Sequence, residues 1–237
     1  MSKKGIWSIV LLIGTYIACQ LIADIGATKA VSLWGLSLSG GTFVFALTFT
    51  LRDMIHKRLG VEWARACIWA AAGLNILLSG YLFFIAQLPA SPFMYSPPGW
   101  NVVFTLVPAI TIASICAELI SELLDTYIYS KWSIAKPNAP QWTRVLFSNA
   151  FSIPVDSLVF CTLAFSIVPW MLGTPTNSIW VALTYAWGGQ LVFKFLITLF
   201  SLPMIYLTRA NTTNAEAMEA AEKHKIYYDA GGLPITL

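Results

Sequence analysis

The sequence predicts an all-α polytopic membrane protein, a bundle of six transmembrane helices with N-in and C-in topology. Three observations predict it. First, 57% of the 237 residues are hydrophobic and 11% charged, against roughly 25% charged in an ordinary soluble domain. A mean hydropathy of +0.71 leaves too little polar surface to face water. Second, six apolar segments reach the roughly 20 residues that a helix needs to cross the hydrocarbon core. Third, the basic residues gather in alternate connections, as in a chain whose cytoplasmic loops hold the positive charge.

The segments follow in order. The first covers 6–25. Lys3 and Lys4 ahead of it imitate the start of a secretory signal, but the apolar run from Ile6 to Ala23 is longer than a signal core and no small-x-small site precedes Asp24. A retained helix is expected. The second lies within 31–58 and is predicted to start near Gly41, because "SLSGG" separates it from a preceding loop. The third covers 62–87 and ends before Pro89. The fourth covers 101–129, the fifth 144–170 and the sixth 178–208. The connection "LPASPFMYSPPGW" (88–100) carries four prolines and no charge, so an ordered non-helical external loop is expected. Residues 1–210 form the membrane domain. Residues 211–237, with "NAEAMEAAEKHK", are predicted to be a cytoplasmic tail with a short surface helix and a frayed end.

Orientation follows from Lys and Arg in short loops. Lys3 and Lys4 precede the first helix. Arg52, Lys57, Arg58 and Arg65 flank the second turn, Lys131, Lys136 and Arg144 the fourth, and Arg209, Lys223 and Lys225 follow the sixth helix. The opposite side holds only Lys29, and Lys194 falls within a span.

Composition also excludes function classes. Basic residues in short clusters between apolar runs make no nucleic-acid surface. Cys19, Cys67, Cys116 and Cys161 form no CxxC pair and fall in apolar runs, where small buried hydrophobes are expected rather than a metal or disulfide framework. There is no HExxH, GxSxG or phosphate-binding glycine loop, so no enzyme, no cofactor and no metal site are expected. His56, in "RDMIHKR", is expected at headgroup level or in solvent. A likeness between 42–59 and 110–132 is too weak to establish an internal repeat.

The charges inside the spans carry the functional information, since each costs at least ~2.5–3.5 kcal/mol near the bilayer centre. Asp156 lies deep in the fifth segment, Lys194 deep in the sixth and Asp53 on the inner part of the second. An Asp156–Lys194 pair would tie two helices together. Glu118, Glu122 and Asp125, spaced i, i+4 and i+7, share one helix face. Since "LLDTYIY" continues apolar beyond them, a span over 108–130 submerges all three. Such residues usually line a cavity or pathway.

These stretches resemble the queuosine precursor transporters, the six-helix, vitamin-uptake-like carriers of 7-deazaguanines. The resemblance covers 7–208. It rests on "FVFALTFTLRDMIHKRLGVEWAR", "ASICAELISELLDTYIY", "SNAFSIPVDSLVF" and "VFKFLITLFSLPMIY", in that order. One departure stands out: the family's acidic turn after the second helix is "DMIHKRLG" here, one acid short. The resemblance implies import of 7-cyano- or 7-aminomethyl-7-deazaguanine for tRNA modification across the inner membrane. It marks Asp53, Glu122, Asp125, Asn149, Asp156 and Lys194, with Glu118 beside them and Arg65 in the cytoplasmic turn. Asn149, Gln190 or Lys194 would supply the donor for a ring carbonyl. A carboxylate accepts the two adjacent N–H groups of a guanine-like edge, and charge-assisted pairs of that kind are strong. The partners expected are the small-molecule substrate and the lipid bilayer, with a homo-oligomer left open. An alternative is a substrate-capture subunit that needs a separate ATP-driven module.

Overall fold

The computed structural model describes residues 3–97, 99–136, 139–171 and 178–207. The tail, 211–237, lies outside them. Among the described residues the six longest helices are α1 (Lys3–Ala27), α2 (Thr42–Leu59), α3 (Val61–Gln87), α4 (Trp100–Ala135), α5 (Gln141–Thr162) and α6 (Gly188–Ser201). α5 continues through a π-helical turn, Leu163–Ile167, into Val168–Met171. α6 is entered through Ile179–Val181 and a second π-helical turn, Ala182–Trp187, and leaves through a 3-10 turn, Leu202–Tyr206.

Five of these stretches are long and apolar enough to cross a membrane: Ile6–Ala27, Val61–Gln87, Trp100–Ala135, Gln141–Ile167 and Gly188–Tyr206. α2 is not among them, because Arg52, Asp53, Lys57 and Arg58 make it too polar. Protein rather than lipid surrounds that polarity. Every residue from Thr48 to Ile55 is buried, between α1, α3 and α6. The expected start near Gly41 agrees with α2, and residues 88–97 are non-helical and exposed.

The predicted loop before α2 is instead a β-hairpin, β1 (Ala30–Leu33) paired antiparallel with β2 (Leu36–Ser39) in the register Ala30 with Ser39 and Leu33 with Leu36. Its two central residues, Trp34 (φ 53°) and Gly35 (φ 78°), both take positive φ, as a two-residue turn matched to strand twist demands. The Trp34 ring stacks on Phe193 of α6 at 5.4 Å, and Phe43 meets the same ring edge-on at 5.8 Å. The hairpin therefore closes one end of the bundle.

Glycines allow its close seating. A Cβ on Gly189 would lie 2.1 Å from the Ser37 carbonyl oxygen, and one on Gly41 would lie 2.2 Å from that of Ala23. Both obstacles are backbone, so the elements would have to separate. Gly189→Ala and Gly41→Ala are each expected to destabilise by about 1–3 kcal/mol. Gly73→Ala, which meets nothing within 4 Å, is expected to leave the melting temperature in detergent unchanged or slightly raised. Equal melting of all three variants would contradict this packing.

The opposite end is tied by polar contacts. Arg58 donates to the Ser8 hydroxyl and Lys57 to the Ile205 carbonyl at 2.7 Å. The start of α1, the end of α2 and the 3-10 turn after α6 thus lie together, so the two ends of the described chain share one side of the bundle. Nearby, Tyr16, Leu51, Ile55, Tyr129 and Val145 belong to one apolar cluster. Cys67 and Cys161 are buried as expected, while Cys19 is half-buried and Cys116 is exposed on the outer face of α4.

Candidate functional site

The interior carries a chain of ionisable side chains placed by helical periodicity. On α1, Tyr16, Gln20 and Asp24 recur every four residues and share a face. α4 runs antiparallel against that face. Tyr16 donates to Glu122, and Gln20 Nε2 donates to Glu118 at 2.7 Å. Thr111 and Ser114 of α4 present their hydroxyls to Asp24.

α2 adds Arg52, which the loop-charge argument assigns to the cytoplasmic turn. The structure corrects this. Arg52 is 1% exposed and binds Asp125 directly, with Asp53 at 3.3 Å and Glu122 at 3.6 Å. α2 leaves the protein interior only after Ile55, so its exit charges begin at Lys57. Its guanidinium also lies 5.4 Å from the Phe49 ring centroid. His56 is half-buried, its ring 4.5 Å from that of Tyr129, rather than free in solvent.

α5 and α6 complete the chain. Asp156 accepts from Lys194 and, at 3.0 Å, from the Ser121 hydroxyl. Ser152 donates to Asp125 at 2.8 Å. The Lys194 ammonium lies 4.8 Å from the Phe45 ring centroid. An Asp156–Lys194 pair is therefore present, embedded in a larger network.

Asp53, Glu118, Glu122, Asp125, Asn149, Asp156, Gln190 and Lys194 are all buried. The row on α4, Glu118, Glu122 and Asp125, is enclosed by protein. Asn149 belongs to the same interior, with both amide atoms lacking hydrogen-bond partners. Arg65 stands apart: it is exposed and pairs with Glu62 at 3.4 Å. Tyr16, Gln20, Asp24 and Arg52 belong to the network and escape the sequence reading. Their signal was available on α1, where Tyr16, Gln20 and Asp24 are polar steps of four in an apolar helix.

Two consequences follow for the chemistry. Among the described residues the buried interior holds six carboxyl groups (Asp24, Asp53, Glu118, Glu122, Asp125, Asp156) against two cations (Arg52, Lys194). Unpaired buried charge costs several kcal/mol per ion, so the surplus calls for protons or cationic ligands. A cavity also opens between Asp24, Asp156, Gln190 and Lys194, with Phe45 and Phe160 on its apolar walls. Its free volume is about 20 Å³, room for about one water.

A family model described as "Putative vitamin uptake transporter" matches residues 39–208, well over half of the chain. A protein of Bacillus subtilis (strain 168) named "Probable queuosine precursor transporter" is 27% identical over 199 residues, which span 82% of this chain and 81% of that protein. No solved structure matches the chain.

Proposed function

We propose, from the premise that the chain belongs to this vitamin uptake transporter family, that it imports a 7-deazaguanine precursor of queuosine through its buried polar interior. The chain is a multi-pass membrane transporter, with five helices long and apolar enough to span. The substrate assignment rests on the relative's name and on one observation, the buried polar chain that runs from Glu118 and Gln20 through Tyr16, Glu122 and Arg52 to Asp125, with the Asp156–Lys194 pair beside it. A protein that merely spanned the bilayer would gain nothing from six buried carboxyl groups, because apolar residues of equal volume pack as well or better.

In this proposal α2 is the sixth crossing, shielded from lipid by its neighbours, and both termini face the cytoplasm of a bacterial inner membrane. With Arg52 in the interior and Lys194 in α6, Lys29 on the far side stands against eleven basic residues, which keeps the orientation. The flat ring lies between apolar walls, and its polar edge meets side chains of α1, α2 and α6. An aminomethyl cation would answer part of the carboxylate surplus, and a proton would do the same for the neutral cyano form.

The test is whole-cell uptake of labelled 7-cyano-7-deazaguanine in a strain lacking its own carrier. Expression of this chain alone is expected to restore uptake and the modified tRNA nucleoside. Uptake that appears only with an added ATP-driven module would assign the chain as a capture subunit, and no uptake in either setting would refute the substrate.

A further inference from the structure

We infer that Asp24, Thr42 and Gln190 form the subsite that reads the polar edge of the substrate, a ring N–H and exocyclic amine beside a carbonyl. The inference rests on the transport function proposed above and deepens it. Among the carboxylates of the interior, Glu122 and Asp125 look at first like the natural contacts. Both are already engaged, Asp125 by Arg52 and Ser152 and Glu122 by Tyr16 and Arg52. A ligand taking their lone pairs would have to displace buried hydrogen bonds.

The cavity wall still offers free polar atoms, although Thr111 and Ser114 already present hydroxyls to Asp24. Asp24, Thr42 and Gln190 all line it, and each is at least 98% buried. Asp24 Oδ2, Thr42 Oγ1 and Gln190 Nε2 are each without a hydrogen-bond partner. Buried polar atoms are nearly always paired, because one left unpaired loses its hydration with nothing in return. Three such atoms from α1, α2 and α6 around one cavity indicate a ligand that completes them.

Their chemistry specifies that ligand. The Asp24 carboxylate is acceptor-only, the Gln190 amide nitrogen donor-only, and the Thr42 hydroxyl either. An edge that satisfies them presents adjacent N–H donors and then a carbonyl acceptor, which is the lactam–amidine edge of a guanine-like ring. The N–H groups go to Asp24, the carbonyl to Gln190, and Thr42 serves whichever side it faces. Phe45 and Phe160 supply apolar surface for the ring. Gly41 and the alanines 23, 27 and 117 keep the remaining wall low.

The experiment uses the full chain in detergent and two labelled probes, 7-cyano-7-deazaguanine and its analogue lacking the 2-amino group. Losing a hydrogen bond to a charged group weakens binding about 10- to 100-fold. The unmodified protein is expected to prefer the parent compound by that factor. Asp24→Asn is expected to bind the parent about 10- to 100-fold more weakly and to lose the preference. Gln190→Leu is expected to weaken both probes equally and keep the preference, so it tests the subsite even if Asp24→Asn folds poorly. Asp24→Asn or Gln190→Leu proteins with unchanged affinity and unchanged preference would overturn the subsite alone. An unmodified protein that binds neither probe would overturn the transport proposal, and the subsite with it.

Discussion

Replacing Arg52 by methionine is expected to remove most of the folded protein. The guanidinium is the shared cation of Asp53, Glu122 and Asp125, all buried. Methionine fills the volume but leaves three carboxylates around an apolar side chain. Breaking one partner out of a buried ionic network costs about 3–5 kcal/mol, a large share of the roughly 5–15 kcal/mol that holds a domain together. The expected readout is a collapse of the monodisperse peak in size-exclusion chromatography and a melting temperature lower by many degrees. Adding Asp125→Asn to Arg52→Met is expected to recover part of the loss, because the carboxylate that Arg52 binds most closely is then neutral. An Arg52→Met protein melting within about 2 °C of the parent, a shift worth well under 1 kcal/mol, would contradict the network.

Asp156→Asn is expected to abolish uptake while leaving much of the protein folded. The amide keeps the size of the carboxyl group and can still accept from Ser121, but the Lys194 ammonium loses its counter-ion beside the cavity. Lys194→Met makes the reciprocal change. Either single variant strands a buried charge, so both are expected to lower the folded yield, and combining them is expected to restore it. The double variant separates two roles for the pair. If Asp156 and Lys194 only tied α5 to α6, uptake would return with folding. If they work on the substrate pathway, the folded double variant stays at least about tenfold slower, a barrier increase of about 1.4 kcal/mol.

The legible parts of this molecule were those where a charge conflicts with its surroundings. Asp156 and Lys194 stand in apolar runs, and Glu118, Glu122 and Asp125 share a helical face, so burial and a common interior followed from spacing alone. Arg52 was opaque because its neighbours are Asp53, Lys57 and Arg58, and a basic cluster at a helix end resembles an exit. What buries it is the tertiary arrangement: α2 stays enclosed through Ile55. The hairpin was obscured for a different reason. "VSLWGLSLS" alternates apolar and polar residues as strands do, but the turn places Trp34 where Asn or Asp usually takes positive φ. Only the stacking on Phe193 explains that choice. Asp24 was passed over as the end of the first span. The structure places it on the wall of the same cavity as Thr42 and Gln190.

The proposed function requires this single chain to carry a 7-deazaguanine through its buried carboxylate interior. The most direct measurement reconstitutes the purified chain in liposomes without nucleotide or partner protein. It follows entry of labelled 7-cyano-7-deazaguanine against empty vesicles and against vesicles holding Asp156→Asn. Entry into the wild-type vesicles, competed by unlabelled compound and lost in the Asp156→Asn vesicles, is the predicted result. Entry no faster than in empty vesicles, or equally fast with Asp156→Asn, would contradict it.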